Sequence, residues 1–242
     1  MKKLIINADD FGYCKGVNYG IIEAHKDGVL TSTTLMANMP SFDHAVGLHQ
    51  QYPNLGIGVH LTLTTGTPVL NHLKTIIDTD GNFRNQAYYK ESFTVDEHEV
   101  YDEWKAQIEK ALAAGIQPTH LDAHHHANLF GDFNNIYFKL ADEYSLPVRN
   151  NFNNQDPTRR TTDGFVYTMK TVLQSEEALE QLFEAHDTVE IMCHPAFLDK
   201  CLLTSSSYTY PRTEELDLLT HPITKELFSS QSLFELGTFK HI

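Results

Sequence analysis

Cysteine is scarce. Three residues in 242, at positions 14, 193 and 201, are an odd number, widely spaced. That count argues against a disulfide framework and against a thiolate zinc site, and it fits a reducing cytoplasm. Basic residues are also short, 18 Lys and Arg against 32 Asp and Glu, for a formal charge of −14. A chain so acidic lacks a phosphate-tracking surface, so nucleic acid is not expected as a partner. No apolar run is long enough to span a bilayer. Met1-Lys2-Lys3 imitates the start of a secretion signal, but only Leu4-Ile5-Ile6 follows before Asn7, so there is no apolar core to such a signal. No repeat, low-complexity tract or linker interrupts the chain, and one domain over residues 1–242 is expected.

What is present is a recurring arrangement. Four apolar runs each end in a residue able to bind metal or move a proton. Leu4-Ile5-Ile6 leads to Asp9 and Asp10, Ile57-Gly58-Val59 to His60, and Thr119-His120-Leu121-Asp122 to His124, His125 and His126. Val189 to Cys193 leads to His194-Pro195. Short apolar runs alternating with helical periodicity predict βα units and a parallel sheet, whose chemistry collects where the strands end.

The elements follow from the same pattern. Val17, Ile21 and Ala24 have helical spacing, with Gly28 as a terminator. Thr31 to Met36 reads as a strand, Ser41 as the cap of a helix through His49, and His60 as the end of a third strand. Thr94-Val95-Asp96-Glu97 has the form of a capping box before a stripe of Val100, Trp104, Ile108 and Leu112 over 95–114. A strand from about Thr119, a helix around Phe133 to Ala141 and a short strand over 146–149 come next. Ser175 is expected to cap a helix carrying Leu179, Leu182 and Phe183. Helices near 211–220 and 222–229 and a strand near 233–238 end the chain. Stretches 64–93, 150–174 and 199–211 lack periodicity, and loops of that length often bind ligand.

Asp9 and Asp10 are neighbours, and at a strand end both can reach one cavity. His120, Asp122, His124 and His126 are spaced by two and share a side if the segment stays extended, which turns His125 away. Two histidines and one aspartate suit Zn²⁺, Fe²⁺, Co²⁺, Ni²⁺ or Mn²⁺ better than Mg²⁺. Three protein ligands leave room for water and substrate. Arg149 can fork onto a carboxylate such as Asp9 or stand in a surface ion pair, and Trp104 on its helix stripe reads as core.

Asn7-Ala8-Asp9-Asp10-Phe11-Gly12, Gly58-Val59-His60-Leu61, Thr119 to His126 and His194-Pro195 together resemble the YdjC-type carbohydrate deacetylases, also called chitooligosaccharide deacetylases. Ala123 departs mildly from the small Ser or Gly usual before the second metal histidine. The resemblance implies a distorted TIM-like (β/α) barrel of about seven parallel strands. It also implies metal-dependent removal of N-acetyl groups from short amino-sugar oligosaccharides such as diacetylchitobiose. By resemblance Asp10, His60 and His124 hold one divalent metal ion, usually Mg²⁺ in the family, with Asp9 as general base and His194 as general acid. His126 and Arg149 are candidate substrate contacts. A homodimer is expected only from the frequency of twofold assemblies. The competing readings are a metal hydrolase of the amidohydrolase kind, a non-catalytic sugar- or metal-binding protein and an iron oxygenase.

Overall fold

The structure, a computed structural model, describes residues 2–152, 158–173, 176–230 and 232–242. Strand β1 (Lys2–Phe11) lies at the centre, and it is buried from Leu4 onward. Its neighbours are β2 (Ser32–Leu35) and β6 (Thr188–Cys193). With β3 (Gly56–Leu61), β4 (Leu121–Ala123) and β5 (Gly164–Val166) they form a parallel sheet in the order β4-β3-β2-β1-β6-β5. A further strand, β7 (Phe234–Leu236), runs parallel to residues 2–4 of β1.

The sheet curls until its ends meet. Val148 bridges Leu121 on one side and Thr161 on the other, so β4 connects to the chain leading into β5. The result is a distorted TIM-like barrel. The strand expected over 146–149 shrinks to this one bridging residue. Pro147 has no N–H to extend the ladder, although its carbonyl still accepts from Leu121 N–H at 2.9 Å.

Helices α1 (Lys15–Lys26), α2 (Phe42–His49), α3 (Gln86–Lys90), α4 (Glu97–Ala113) and α5 (Phe133–Tyr144) belong to the first two-thirds of the chain. Helices α6 (Met169–Val172), α7 (Glu176–Ala185), α8 (Lys200–Ser205), α9 (Tyr210–Thr220) and α10 (Pro222–Ser230) follow. Asp27, not Gly28, caps the end of α1. Ser41 stands at the N-cap of α2 but makes no side-chain capping bond. Ser175, the expected cap of α7, lies outside the described residues. The cap of α4 is Asp96, whose carboxylate accepts from His98 N–H at 2.9 Å, and no box forms with Thr94. Trp104 is fully buried against Phe133, as the apolar stripe requires, while Leu112 at its end is 38% exposed and Ala111 takes the core position.

Loop 64–93 is tied to α4 by a polar stripe one residue off the apolar one. Glu103 accepts the N–H groups of Val69 and Leu70, both at 2.9 Å. Glu99 accepts those of Lys74 and Thr75 at 2.8 and 2.7 Å. Gln107 closes the row on Thr62, accepting its N–H and donating to its carbonyl, both at 2.8 Å. These residues recur every four positions and so share one helix face.

Candidate active site

At the end of β1 the pairing register with β2 shifts between Ala8 and Phe11. Asp10 takes a φ of 73° there and Gly12 one of 98°. An irregularity of this kind re-aims side chains, and it lets two adjacent aspartates face one cavity. Glycine adopts the second of these φ values without strain. The cavity, about 640 Å³, sits at the C-terminal rim of the barrel. Asp9, Asp10, His60, His124, His125, His126 and His194 all line it, with wall residues from loops 64–93 and 199–211. The size suits a small organic ligand.

Three ligand atoms converge at its floor. Asp10 Oδ1 lies 3.0 Å from His124 Nδ1 and 3.4 Å from His60 Nε2, and the two histidine nitrogens are 3.3 Å apart. All three residues are buried. Asp10 Oδ1 makes no hydrogen bond, although it is enclosed. A buried carboxylate oxygen without a donor, facing two imidazole nitrogens, fits a divalent cation. His60 Nδ1 lies 2.7 Å from Asp122 Oδ1. That contact favours a proton on Nδ1 and leaves the Nε2 lone pair aimed at the site, the carboxylate–histidine pairing common behind metal ligands. Burial alone would lower the pKa of His60, but Asp122 and Asp9 raise it to about 10, so an entering cation competes with a proton for Nε2. The pocket thus favours positive charge.

Arg212 on α9 donates to Asp10 Oδ2 at 2.6 Å, which leaves Oδ1 for the cradle. Burial would raise the Asp10 carboxyl, but Arg212 and His124 hold it well below the usual range.

Asp9 has a different setting. Arg149, fully buried, forks onto both its oxygens at 2.7 and 2.6 Å. The same guanidinium bonds Glu190 at 2.7 Å and lies 3.0 Å from Asp122. Burial works to raise Asp9, yet Arg149 keeps it well below the ordinary carboxylate range. Glu190 holds the poorer share of the cation, and burial pushes it up to about 7. The Arg149 cation already neutralises both Asp9 oxygens, so Asp9 is a poor ligand for a second cation, although it also lies near His60 and Asp122. His194 Nε2 stands 3.9 Å from Asp9 Oδ2. Its backbone N–H donates to Glu215 on α9, whose other oxygen accepts from the Tyr208 hydroxyl at 2.6 Å.

Two expectations change. Arg149 does not line the cavity; it sits behind Asp9, so its reading as a substrate contact gives way to that of an orienting group. The histidine row does not stay extended past β4. His125 and His126 take φ values of 54° and 52°, so His125, expected to turn away, lines the cavity with its Nδ1 2.9 Å from Thr64 Oγ1. His120 is buried below, stacked on Phe239 at 3.8 Å between ring centres. His126 lines the wall, its Nδ1 2.9 Å from the Asn151 amide nitrogen, with Phe165 and Tyr167 edge-on nearby. Asp122 figured in the sequence only as a member of a row, and Arg212, Glu190 and Glu215 gave no sequence signal.

A parallel barrel that gathers a buried carboxylate–histidine group able to hold a cation and an Asp–His pair at one rim has the parts of a hydrolytic site. The chain belongs to the YdjC-like protein family, whose model matches residues 3–230. A carbohydrate deacetylase of Brevibacillus brevis is 43% identical over 99% of both chains. One from Clostridium beijerinckii is 39% identical over 99% of this chain and 100% of its own. A crystal structure from Enterococcus faecalis, bearing the name of a cellobiose-phosphate cleavage protein, superposes with a TM-score of 0.88 at 37% identity over 99% and 98% of the two chains. The lactam utilization protein of Thermus thermophilus, at 16% identity and a TM-score of 0.52, shares the fold. Among the described residues no helix is long and apolar enough to cross a membrane.

Proposed function

We propose that this chain is a carbohydrate deacetylase that removes N-acetyl groups from short amino-sugar oligosaccharides of the chitobiose kind and releases acetate, with residues 1–242 acting as one domain. The observation that carries the reading is the convergence of Asp10 Oδ1, His60 Nε2 and His124 Nδ1 beside Asp9 and His194 in one cavity. Asp10, His60 and His124 would hold the cation. When bound, it would acidify a water and polarise the acetyl oxygen.

The remaining steps belong to the chain. Asp9 takes a proton from the attacking water, its carboxylate held in one plane by the Arg149 fork. His194 Nε2 gives a proton to the departing sugar amine, its main chain fixed by Glu215. His126, with Phe165 and Tyr167 beside it, offers an edge on which a sugar ring can rest.

The donor set of two nitrogens and one oxygen favours Zn²⁺ or another transition metal over the Mg²⁺ that the resemblance implies. Arg212 is the one Lys or Arg side chain among the described residues that lines the cavity, and it is committed to Asp10. A neutral oligosaccharide therefore fits better than a phosphorylated one. The test strips the protein of metal and restores Mg²⁺, Mn²⁺, Co²⁺, Ni²⁺ or Zn²⁺ in turn. Acetate release is then measured on N-acetylated di- and trisaccharides, free and phosphorylated. No acetate from any pair would end the deacetylase reading. Asp9→Asn is expected to keep cation affinity and lose about 10²–10⁴ in kcat. Asp10→Ala is expected to lose the ion held in this cradle, measured by calorimetry with Mn²⁺, which thiolates hold poorly.

A further inference from the structure

Away from that cradle, Cys14, Asp199 and Cys201 come together from two segments. Cys14 precedes α1 and is buried, its thiol beside the Asp199 carboxylate. Asp199 caps α8, accepting from Leu202 N–H at 2.8 Å and, across the gap, from Gly16 N–H at 2.7 Å. Cys201 lies exposed in the first turn of α8. The two segments run backbone against backbone: a Cβ on Gly16 would stand 2.3 Å from Phe197 O. Both sulfurs and one carboxylate oxygen consequently lie within 4.8 Å of one another.

Against the expectation from cysteine spacing, because the fold brings positions 14 and 201 together, we propose that Cys14, Asp199 and Cys201 form a second cation site, for a thiophilic divalent ion of the Zn²⁺ or Cd²⁺ class. Zn–S bonds near 2.3 Å and Zn–O bonds near 2.1 Å put tetrahedral ligand atoms roughly 3.5–3.8 Å apart. The triad must contract by about 1.3 Å at most, and the exposed Cys201 side chain has the freedom to do so. Two thiolates and a carboxylate leave one position for water on the solvent side. Burial, with the Asp199 carboxylate adding to it, pushes the Cys14 thiol up to about 12, so an entering cation must displace its proton. Each ion bound releases two protons, one from each thiol, and no electrons move.

The site would clip the start of α1 to α8. Ser205 at the end of α8 accepts from the Tyr13 hydroxyl at 2.8 Å, and 205–208 form a wall of the cavity. An ion here therefore braces the sugar pocket without touching it.

The test titrates fully reduced protein with Co²⁺. The expected result is one equivalent that shows thiolate-to-cobalt charge-transfer absorption, beyond any ion bound by imidazole alone. That absorption should vanish in Cys14→Ser and in Cys201→Ser, both conservative enough to fold, and persist in Asp10→Ala. Two protons per thiolate-bound ion should appear in weakly buffered solution. Absence of the band in reduced wild type overturns the proposal, as does a band that survives in Cys201→Ser. A Cys14–Cys201 disulfide in protein isolated without reductant, joined to absence of the band after reduction, overturns it too.

Discussion

Asp122 decides which nitrogen of His60 faces the cavity. Its carboxylate lies 2.7 Å from Nδ1, and the opposite nitrogen points to Asp10 and His124. Asp122→Asn keeps the shape but can present an N–H to Nδ1, which favours the other tautomer. Affinity of the cradle for Mn²⁺ is expected to fall about 10–100-fold, measured by calorimetry in a Cys201→Ser background. Unchanged affinity would show that the tautomer is set elsewhere. The residues of the site divide by how far their signal lies in the chain. Asp9, Asp10, His60, His124 and His194 follow apolar runs and were legible, because strand ends at one rim share a site. Arg212 and Glu215 sit on α9, and only the winding of the barrel brings them beneath Asp10 and His194. For Arg149 the sequence left a fork onto Asp9 and a surface ion pair both open, and the structure has the fork. The complete burial of Arg149 among three carboxylates was not legible, since Glu190 lies inside an apolar run where a charge is unexpected.

Helix α4 carries loop 64–93, and the loop carries the cavity wall at 85–87. Burial works to raise the Glu99 pKa, but the Thr75 hydroxyl and the N–H groups of Thr75 and Lys74 lower it overall. A carboxylate depressed on folding adds stability above its unfolded value, here 4.5, and the contribution fades as pH falls through the folded value. Glu99→Gln is therefore expected to cost about 1 kcal/mol at neutral pH, after allowance for solvent. In urea melts the deficit should shrink as pH is lowered beneath 4.5. A deficit independent of pH would show that the lost contact is not ionic. The apolar stripe of α4 was legible because Val100, Trp104 and Ile108 repeat with the helix. The polar stripe was not, because its partners are backbone amides of a loop with no periodicity. The short α3, α6 and α8 were missed for the same reason: four to six residues are too few to display a period.

At the scale of the molecule the seam of the barrel is its thinnest part. Six-residue β6 and ten-residue β1 hold its centre, whereas Val148 alone, among the described residues, links β4 to Thr161. Native-state hydrogen exchange should open at Val148 and Arg149 well before Ile5 and Ile191. Equal protection would mean that the seam opens only with the whole fold. A cation in the cradle would tie the central β1 to β3 through His60 and to the end of β4 through His124. In a Cys201→Ser background, an ion at a hundred times its Kd is expected to add about 2.7 kcal/mol, roughly 5–10 °C in Tm. The gain should disappear with chelator and in Asp10→Ala. The central place of β1 has one more consequence, for synthesis. A ribosome releases this strand early, while the partner for Lys3 to Ala8 waits at Thr188 to Cys193. Throughout that delay a long apolar edge is open to solvent, and nascent chains of this protein are natural clients for a chaperone.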